Sequence, residues 1–313
     1  MNKMKKILIT GGAGFIGSHL CKHFLENDFF VTCLDNLSSG NFDNIAHLES
    51  NKNFSFKNFD ITNILDFKND FDFVLNFACP ASPKYYLNSP IETANASISG
   101  VINILDFCVK NNSVLLHAST SEVYGDPLVH PQDESYYGNV NPIGPRSCYD
   151  EGKRVAEMFI YEFQKKYNMN SKIIRIFNTY GPNMNHDDGR VVSNFINQAL
   201  QNEDITIYGD GTQTRSFCYI DDLVSGIVTY LELEENYLGP INLGNPSELN
   251  MIDLANKIVK LTNSNSKIIF KSLPENDPMK RKPDISLAIE KLNFSPKVTI
   301  DLGLSKTIDY FKD

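Results

Sequence analysis

Short runs of β-branched and large apolar residues recur through the first half of the chain, at Lys6–Thr10, Phe30–Leu34, Phe54–Phe56, Phe73–Phe77, Val114–Ala118 and Ile173–Phe177. Between them lie stretches whose apolar residues fall three and four apart, such as Ile16–Glu26 and Ile98–Lys110. Near-continuous apolar runs suit strands covered on both faces. Their alternation with amphipathic helices predicts βαβ units and a doubly wound parallel sheet, an α/β fold. Beyond Asn178 the pattern changes to Pro182, a polar run Asn183–Asp188, a helical Ser193–Gln201 and the turn-rich Tyr208-Gly209-Asp210-Gly211. This predicts a smaller region of different build, with the chain returning to the first sheet around residues 217–243. Helical spacing resumes at Met251–Leu261 and Ile285–Lys291, separated by the basic, proline-containing Met279-Lys280-Arg281-Lys282-Pro283.

The segment Gly11-Gly12-Ala13-Gly14-Phe15-Ile16-Gly17 follows the first expected strand and opens the first expected helix. Glycines there permit a tight turn, close approach of a pyrophosphate to backbone N–H groups, and tight helix-on-strand packing. Glycine-rich turns are common, but the second strand ends on Asp35, about 20 residues further on, where a carboxylate reaches an adenosine ribose. The pair predicts a Rossmann-like dinucleotide site built on Gly11, Gly14, Phe15, Ile16, Gly17 and Asp35. Asp35 is followed by Asn36-Leu37-Ser38-Ser39, with no adjacent arginine for a 2′-phosphate, so the cofactor expected is NAD. Asp60-Ile61, after the third strand, either flanks the adenine or caps the next helix. Residues 1–180 are thus expected to form the NAD domain and 181–313 mainly the substrate region.

Composition narrows the class. With 313 residues, 42% hydrophobic, the chain has enough apolar surface for a full core. A net charge of -9 argues against nucleic acid or an anionic membrane as partner, since either needs clustered Lys and Arg. No run reaches the ~18 apolar residues of a membrane span, and the first residues lack the core of a signal peptide, so a soluble, cytoplasmic protein is expected. The six cysteines form no Cys-x-x-Cys pair, and the six histidines lack metal-ligand spacing, so no disulfide framework or metal is expected.

Catalytic chemistry is suggested by Tyr149-Asp150-Glu151-Gly152-Lys153, whose spacing sets Tyr149 and Lys153 on one helix face. A neighbouring ammonium stabilises a phenolate and so favours a tyrosine acting as general base. The spacing alone is common, but here a dinucleotide loop lies upstream and a polar strand end, Ser119-Thr120-Ser121-Glu122, lies between them.

Together these features resemble the extended short-chain dehydrogenase/reductase family, and the resemblance spans essentially the whole chain. Within it, Ala78-Cys79-Pro80-Ala81-Ser82-Pro83, the run from Thr120 to Pro127, Asn141-Pro142-Ile143-Gly144-Pro145-Arg146, Cys148 to Arg154, Asp188 to Phe195 and Arg281 to Ile285 resemble those of UDP-glucuronate decarboxylases. Related dehydratases carry an aspartic acid where this chain has Ser121, and epimerases lack the counterpart of Glu122. The resemblance implies an NAD-dependent enzyme that oxidises UDP-glucuronate at C4, releases CO2 and re-reduces C4 to give UDP-xylose. It assigns catalysis to Thr120, Glu122, Tyr149 and Lys153, and substrate contacts to Tyr86, Asn178, Arg190, Arg215 and Arg281. Tyr208 either stacks near the uracil or sits in the core. A homodimer through helices including Ile98–Lys110 and Lys153–Lys166 is also implied. Two positions depart from the family pattern: Ser97 stands where asparagine is usual, and Asn41-Phe42 where basic residues are common. A UDP-sugar 4-epimerase, a decarboxylase that releases the ketopentose, and a catalytically silent NAD-binding scaffold are the competing readings.

Overall fold

The structure, a computed structural model, describes residues 4–67, 70–272 and 280–312. Met1–Lys3 and Met279 lie outside the described residues. Strands β1 (Lys6–Thr10), β2 (Phe30–Asp35), β3 (Phe54–Asn58), β4 (Phe73–Asn76), β5 (Val114–Thr120) and β6 (Ser171–Ile176) join Ile241–Leu243 in one seven-stranded sheet. Its order is Ile241–Leu243, β6, β5, β4, β1, β2, β3, and all its pairings are parallel. The chain order reverses between β1 and β4, which opens a crevice at the carboxyl ends of those strands.

Both faces of the sheet are covered, which is why its strands read as apolar runs without alternation. In β1, Ile7 and Ile9 pack into the layer that holds Leu20 and Phe24 of helix α1 (Phe15–Glu26). Leu8 points the other way, into a layer with Ile104, Leu105 and Ile160. The helix expected from Ile98 begins instead as a wider, π-helical turn at Ala96–Gly100 and becomes α-helical at Val101–Asn111. Gly100 is pressed there against Ile61, whose Cδ1 lies 2.6 Å from where a Cβ would stand. Phe177, expected as the last residue of its strand, falls just beyond β6.

Beyond Asn178 the chain builds small sheets that hang over the crevice. Ile205–Tyr208 pairs with Ile268–Lys271, and Thr214–Ser216 lies between Glu248–Asn250 and Lys280–Arg281. Residues Ile220–Glu232 form a helix whose chain then re-enters the main sheet at Ile241–Leu243. Among the described residues no helix is long and apolar enough to cross a membrane.

Helix α1 sits so close to β1 that a Cβ on Gly17 would stand 2.7 Å from Gly12 Cα and 2.8 Å from the Gly11 carbonyl carbon. Gly17→Ala gains about 1 kcal/mol of helix propensity, but the clash is with backbone and should outweigh it at about 1–3 kcal/mol. A lower urea midpoint than wild type is expected; a raised midpoint would mean that α1 withdraws freely from the sheet.

Candidate active site

The carboxyl ends of β1, β2, β4, β5 and β6 open into a single cleft of about 1210 Å³. Along one wall it is lined by Gly11, Gly14, Phe15, Ile16, Gly17, Asp35, Asp60 and Ile61. Thr120, Glu122, Tyr149, Lys153 and Tyr86 line its floor, and Asn178, Arg190, Tyr208, Arg215 and Arg281 line the side facing the small sheets. Residues far apart in sequence are thereby gathered in one space.

The glycine loop is shaped for a ligand to lie against backbone. Gly11 has φ +68°, and a Cβ there would stand 2.6 Å from the Phe77 carbonyl carbon. Gly14 precedes α1 with no side-chain cap, so N–H groups of its first turn are left facing the cleft wall. Asp35 accepts hydrogen bonds from Ala13 N at 3.0 Å and Leu37 N at 2.8 Å, which fixes its carboxylate beside the loop. Burial raises its pKa against those bonds. Asp60 holds the turn after β3 by accepting from Thr62 N at 2.8 Å, and Asn36 Nδ2 donates to it at 2.9 Å. Ile61 is buried beneath it. An uncapped helix start, glycines that no side chain could replace and a carboxylate at the end of β2 fit a dinucleotide.

On the floor, Tyr149 and Lys153 both belong to the long helix Ser147–Tyr167. Tyr149 is nearly buried and stacks on Tyr86, with ring centres 5.1 Å apart and planes 6° from parallel. Tyr86, expected as a ligand contact, thus spends one ring face on orienting Tyr149. Lys153 Nζ donates to the Ala118 carbonyl at 2.8 Å and lies 5.9 Å from the Tyr149 ring centre. Burial and then the Cys79 thiol push the Tyr149 pKa well above the tyrosine range, against a hydrogen bond with Thr120. The expected lowering by Lys153 does not hold in this arrangement: the phenol lies in a desolvated wall, and the ammonium is engaged by a carbonyl.

Glu122 occupies a short 3-10 turn after β5, with its N–H donating to Thr120 Oγ1 at 3.3 Å. Its side chain is 15% exposed and is gripped by two guanidiniums. Arg281 donates through both Nη atoms, one at 2.8 Å to Oε2, and Arg146 donates to Oε2 as well. Burial raises the Glu122 pKa, yet Arg281 and Arg146 outweigh it and hold the carboxyl at about 2. Arg281, expected as an anion contact, therefore directs its fork at Glu122.

Arg281 reaches that position because Lys280–Arg281 runs beside Thr214–Arg215, setting Arg281 in register with Arg215. Arg215 Nη1 donates to its neighbour's carbonyl, Thr214 O, at 2.9 Å. Arg190 is tied to Asp188 at 2.7 Å and lies over the Phe15 ring. Tyr208 is 44% exposed, which removes the core alternative. Ser97 is buried, with Oγ 3.2 Å from Cys79 Sγ, and Gly152 is packed against it. In the other departure, Asn41 N donates to Ala13 O and Phe42 packs on Phe56, so the pair braces the glycine loop.

Sequence reasoning missed two residues of the site, Arg146 and Asp150. Arg146 stands three residues before Tyr149, and Asp150 follows it directly; their helical spacing was the available signal. Arg146 Nε lies 3.6 Å from Asp150 Oδ2, so both belong to the Glu122 cluster.

Comparison with known proteins gives the same picture. The model of the NAD dependent epimerase/dehydratase family matches residues 7–244. A Xenopus tropicalis protein named UDP-glucuronic acid decarboxylase 1 is 47% identical over 308 residues, 98% of this chain and 72% of that protein. An Arabidopsis thaliana protein named UDP-glucuronic acid decarboxylase 3 is 48% identical over 300 residues, covering 96% of this chain and 86% of its own. Among solved structures, the Bacillus cereus UDP-glucuronic acid 4-epimerase in complex with UDP-glucuronic acid and NAD superposes with a TM-score of 0.88. It is 32% identical, and the match covers 98% of this chain and 99% of that one. With the family model spanning most of the sheet and the relatives nearly the whole length, the chain belongs to the NAD dependent epimerase/dehydratase family.

Proposed function

We propose that the protein is an NAD-dependent UDP-glucuronate decarboxylase that forms UDP-xylose. The observation that carries this reading is a carboxylate, Glu122, held ionised by Arg281 and Arg146 in the same cleft as Thr120, Tyr149 and Lys153. The names of its relatives support it. Gly11, Gly14–Gly17, Asp35, Asp60 and Ile61 are assigned to NAD, and the side built by residues 181–313, with Tyr86 and Asn178, to the UDP-sugar. NAD held there would supply the hydride acceptor and donor for sugar C4 and a positive charge that would favour the phenolate.

Tyr149 takes the proton of the C4 hydroxyl, with Thr120 bonded to it and Tyr86 holding the ring plane. Pushed up by burial, Tyr149 is a strong base once ionised and a ready donor when protonated, so it can return the proton when C4 is reduced again. Oxidation makes the sugar a β-keto acid. Its C4 carbonyl receives the electrons freed as CO2 leaves, and the enolate is stabilised by hydrogen bonds from Tyr149 and Thr120. Glu122, with its carboxyl held at about 2, is ionised at neutral pH. It orients the ring and its water, and the proton for C5 has another source.

The pairing of two copies is proposed through the long helix Ser147–Tyr167, where Met158 and Tyr161 are 47% and 51% exposed. Six free thiols suit a reducing compartment such as the cytoplasm. Light scattering is expected to give twice the chain mass, falling toward one chain with charged substitutions at Met158 and Tyr161; a wild-type monomer refutes the pairing.

Incubation of NAD-loaded protein with UDP-glucuronate should release CO2 and accumulate UDP-xylose with no lasting NADH absorbance. UDP-galacturonate without CO2 would identify an epimerase, and stoichiometric NADH with a ketopentose the releasing decarboxylase. Tyr149→Phe keeps the stacked ring but removes the base, so turnover should fall by about 10²- to 10⁴-fold with UDP affinity unchanged. Near-normal turnover would refute the role.

Arg281→Ala leaves Glu122 with one guanidinium in a buried place. Turnover should fall by about 10²-fold or more, the scale of losing one preorganised charged contact, with a smaller change in UDP affinity. A variant that loses UDP binding but keeps turnover at saturation would return Arg281 to the nucleotide.

A further inference from the structure

Behind Glu122 lies a second, smaller cavity of about 280 Å³. Glu122 and Arg146 line both this cavity and the main cleft, so they form a partition between them. Asp150 lines only the smaller one. It is 6% exposed, lies 3.6 Å from Arg146 Nε through Oδ2, and its Oδ1 has no hydrogen-bond partner among the described residues. A carboxylate oxygen buried without a donor costs far more than the neutral acid in the same place. The proposed mechanism, meanwhile, consumes one proton for every CO2 released and leaves its source open.

From this partition, and resting on the decarboxylase reading above, we infer that Asp150 is the proton store of the reaction. It takes a proton from solvent through the small cavity when the substrate carboxylate enters the cleft, and releases it toward C5 after CO2 has left. Asp150 does not touch the sugar; it acts by way of water held at the Glu122 carboxylate and is a positioning residue for the proton. The charges of the cluster argue for uptake on binding. Glu122 and the substrate carboxylate are two anions, Arg146 and Arg281 two cations, so the cluster is neutral only with Asp150 protonated. The groups acting on Asp150 are Glu122, which raises its affinity for a proton, and Arg146 and Arg281, which lower it. Tyr86 and Cys148 also sense its charge, and Asp126 lines the same small cavity. Burial and then Glu122 prevail, and the carboxyl is pushed up to about 7. The step balances: the C5–C6 electron pair becomes the enolate, the O–H bond of Asp150 breaks as C5–H forms, and solvent restores the proton to Asp150.

Titration calorimetry tests this on NAD-loaded protein carrying Tyr149→Phe, which binds without turning over, in buffers of different ionisation enthalpy. At pH 8, where the free carboxyl is mostly ionised, UDP-glucuronate should draw in up to about one proton per site, and UDP-xylose none. At pH 6 the uptake should shrink, because the proton is already in place. Adding Asp150→Asn should abolish it. In the otherwise wild-type enzyme Asp150→Asn should lower kcat by about 10- to 100-fold, with little change in KM, and remove the fall in kcat above neutral pH. Binding of UDP-glucuronate with no proton uptake, or with uptake unchanged by Asp150→Asn, overturns the proposal while leaving decarboxylation intact. Should Asp150→Asn not fold, the pH dependence of uptake without it decides alone. A wild-type enzyme that binds UDP-glucuronate but evolves no CO2 overturns the functional reading and this proposal together.

Discussion

The cleft depends on keeping Glu122 ionised in a place with little water. A buried carboxylate without partners would take a proton or unfold its surroundings, and removing one partner of such a pair is far more damaging than replacing both. Here compensation comes from two remote places. Arg146 precedes the helix that bears Tyr149, and Arg281 is 159 positions away from Glu122, on the outer strand of a small sheet. The grip on one carboxylate therefore ties the Rossmann-like layer to the region that overhangs it. Charge compensation at this point links the geometry of the cleft to the closure of the fold.

Around that cluster the supporting groups are fixed by ordinary packing and hydrogen bonding. Tyr149 is held in plane by Tyr86, and Lys153 by the Ala118 carbonyl. Below the floor, Ser119 donates to Glu157 Oε1 at 2.5 Å, and Arg175 clasps the same carboxylate at 3.0 and 2.8 Å. Tyr124 OH donates to Asn242 Oδ1 at 2.8 Å, which joins the 3-10 turn after β5 to Ile241–Leu243. These contacts leave β5 little freedom where Thr120 and Glu122 emerge. A preorganised site of this kind stabilises developing charge without rearranging as the reaction proceeds.

Most of the architecture was legible along the chain because its signals are local. Apolar runs marked the six strands of the first half, and glycines marked the turn onto α1, since sterics between neighbours alone demand them. Helix starts were less legible. The π-helical turn at Ala96–Gly100, where Gly100 packs against Ile61, leaves no mark in the periodicity. Phe177 reads as strand from its composition but lies past the last residue of β6.

The sequence by itself determined the doubly wound sheet and the dinucleotide loop, because each is set by residue type and short-range spacing, whereas the substrate-side residues of the cleft came from the resemblance to a family. Tertiary structure alone decided their relations. It turned Arg281 toward Glu122, laid Tyr86 on Tyr149, raised the phenol above its usual range where a lowering was expected, and recruited Arg146 and Asp150. The reason is that charge compensation and desolvation depend on distance in space. Pairing a carboxylate with a guanidinium from the far end of the chain leaves no periodic trace in the order of residues.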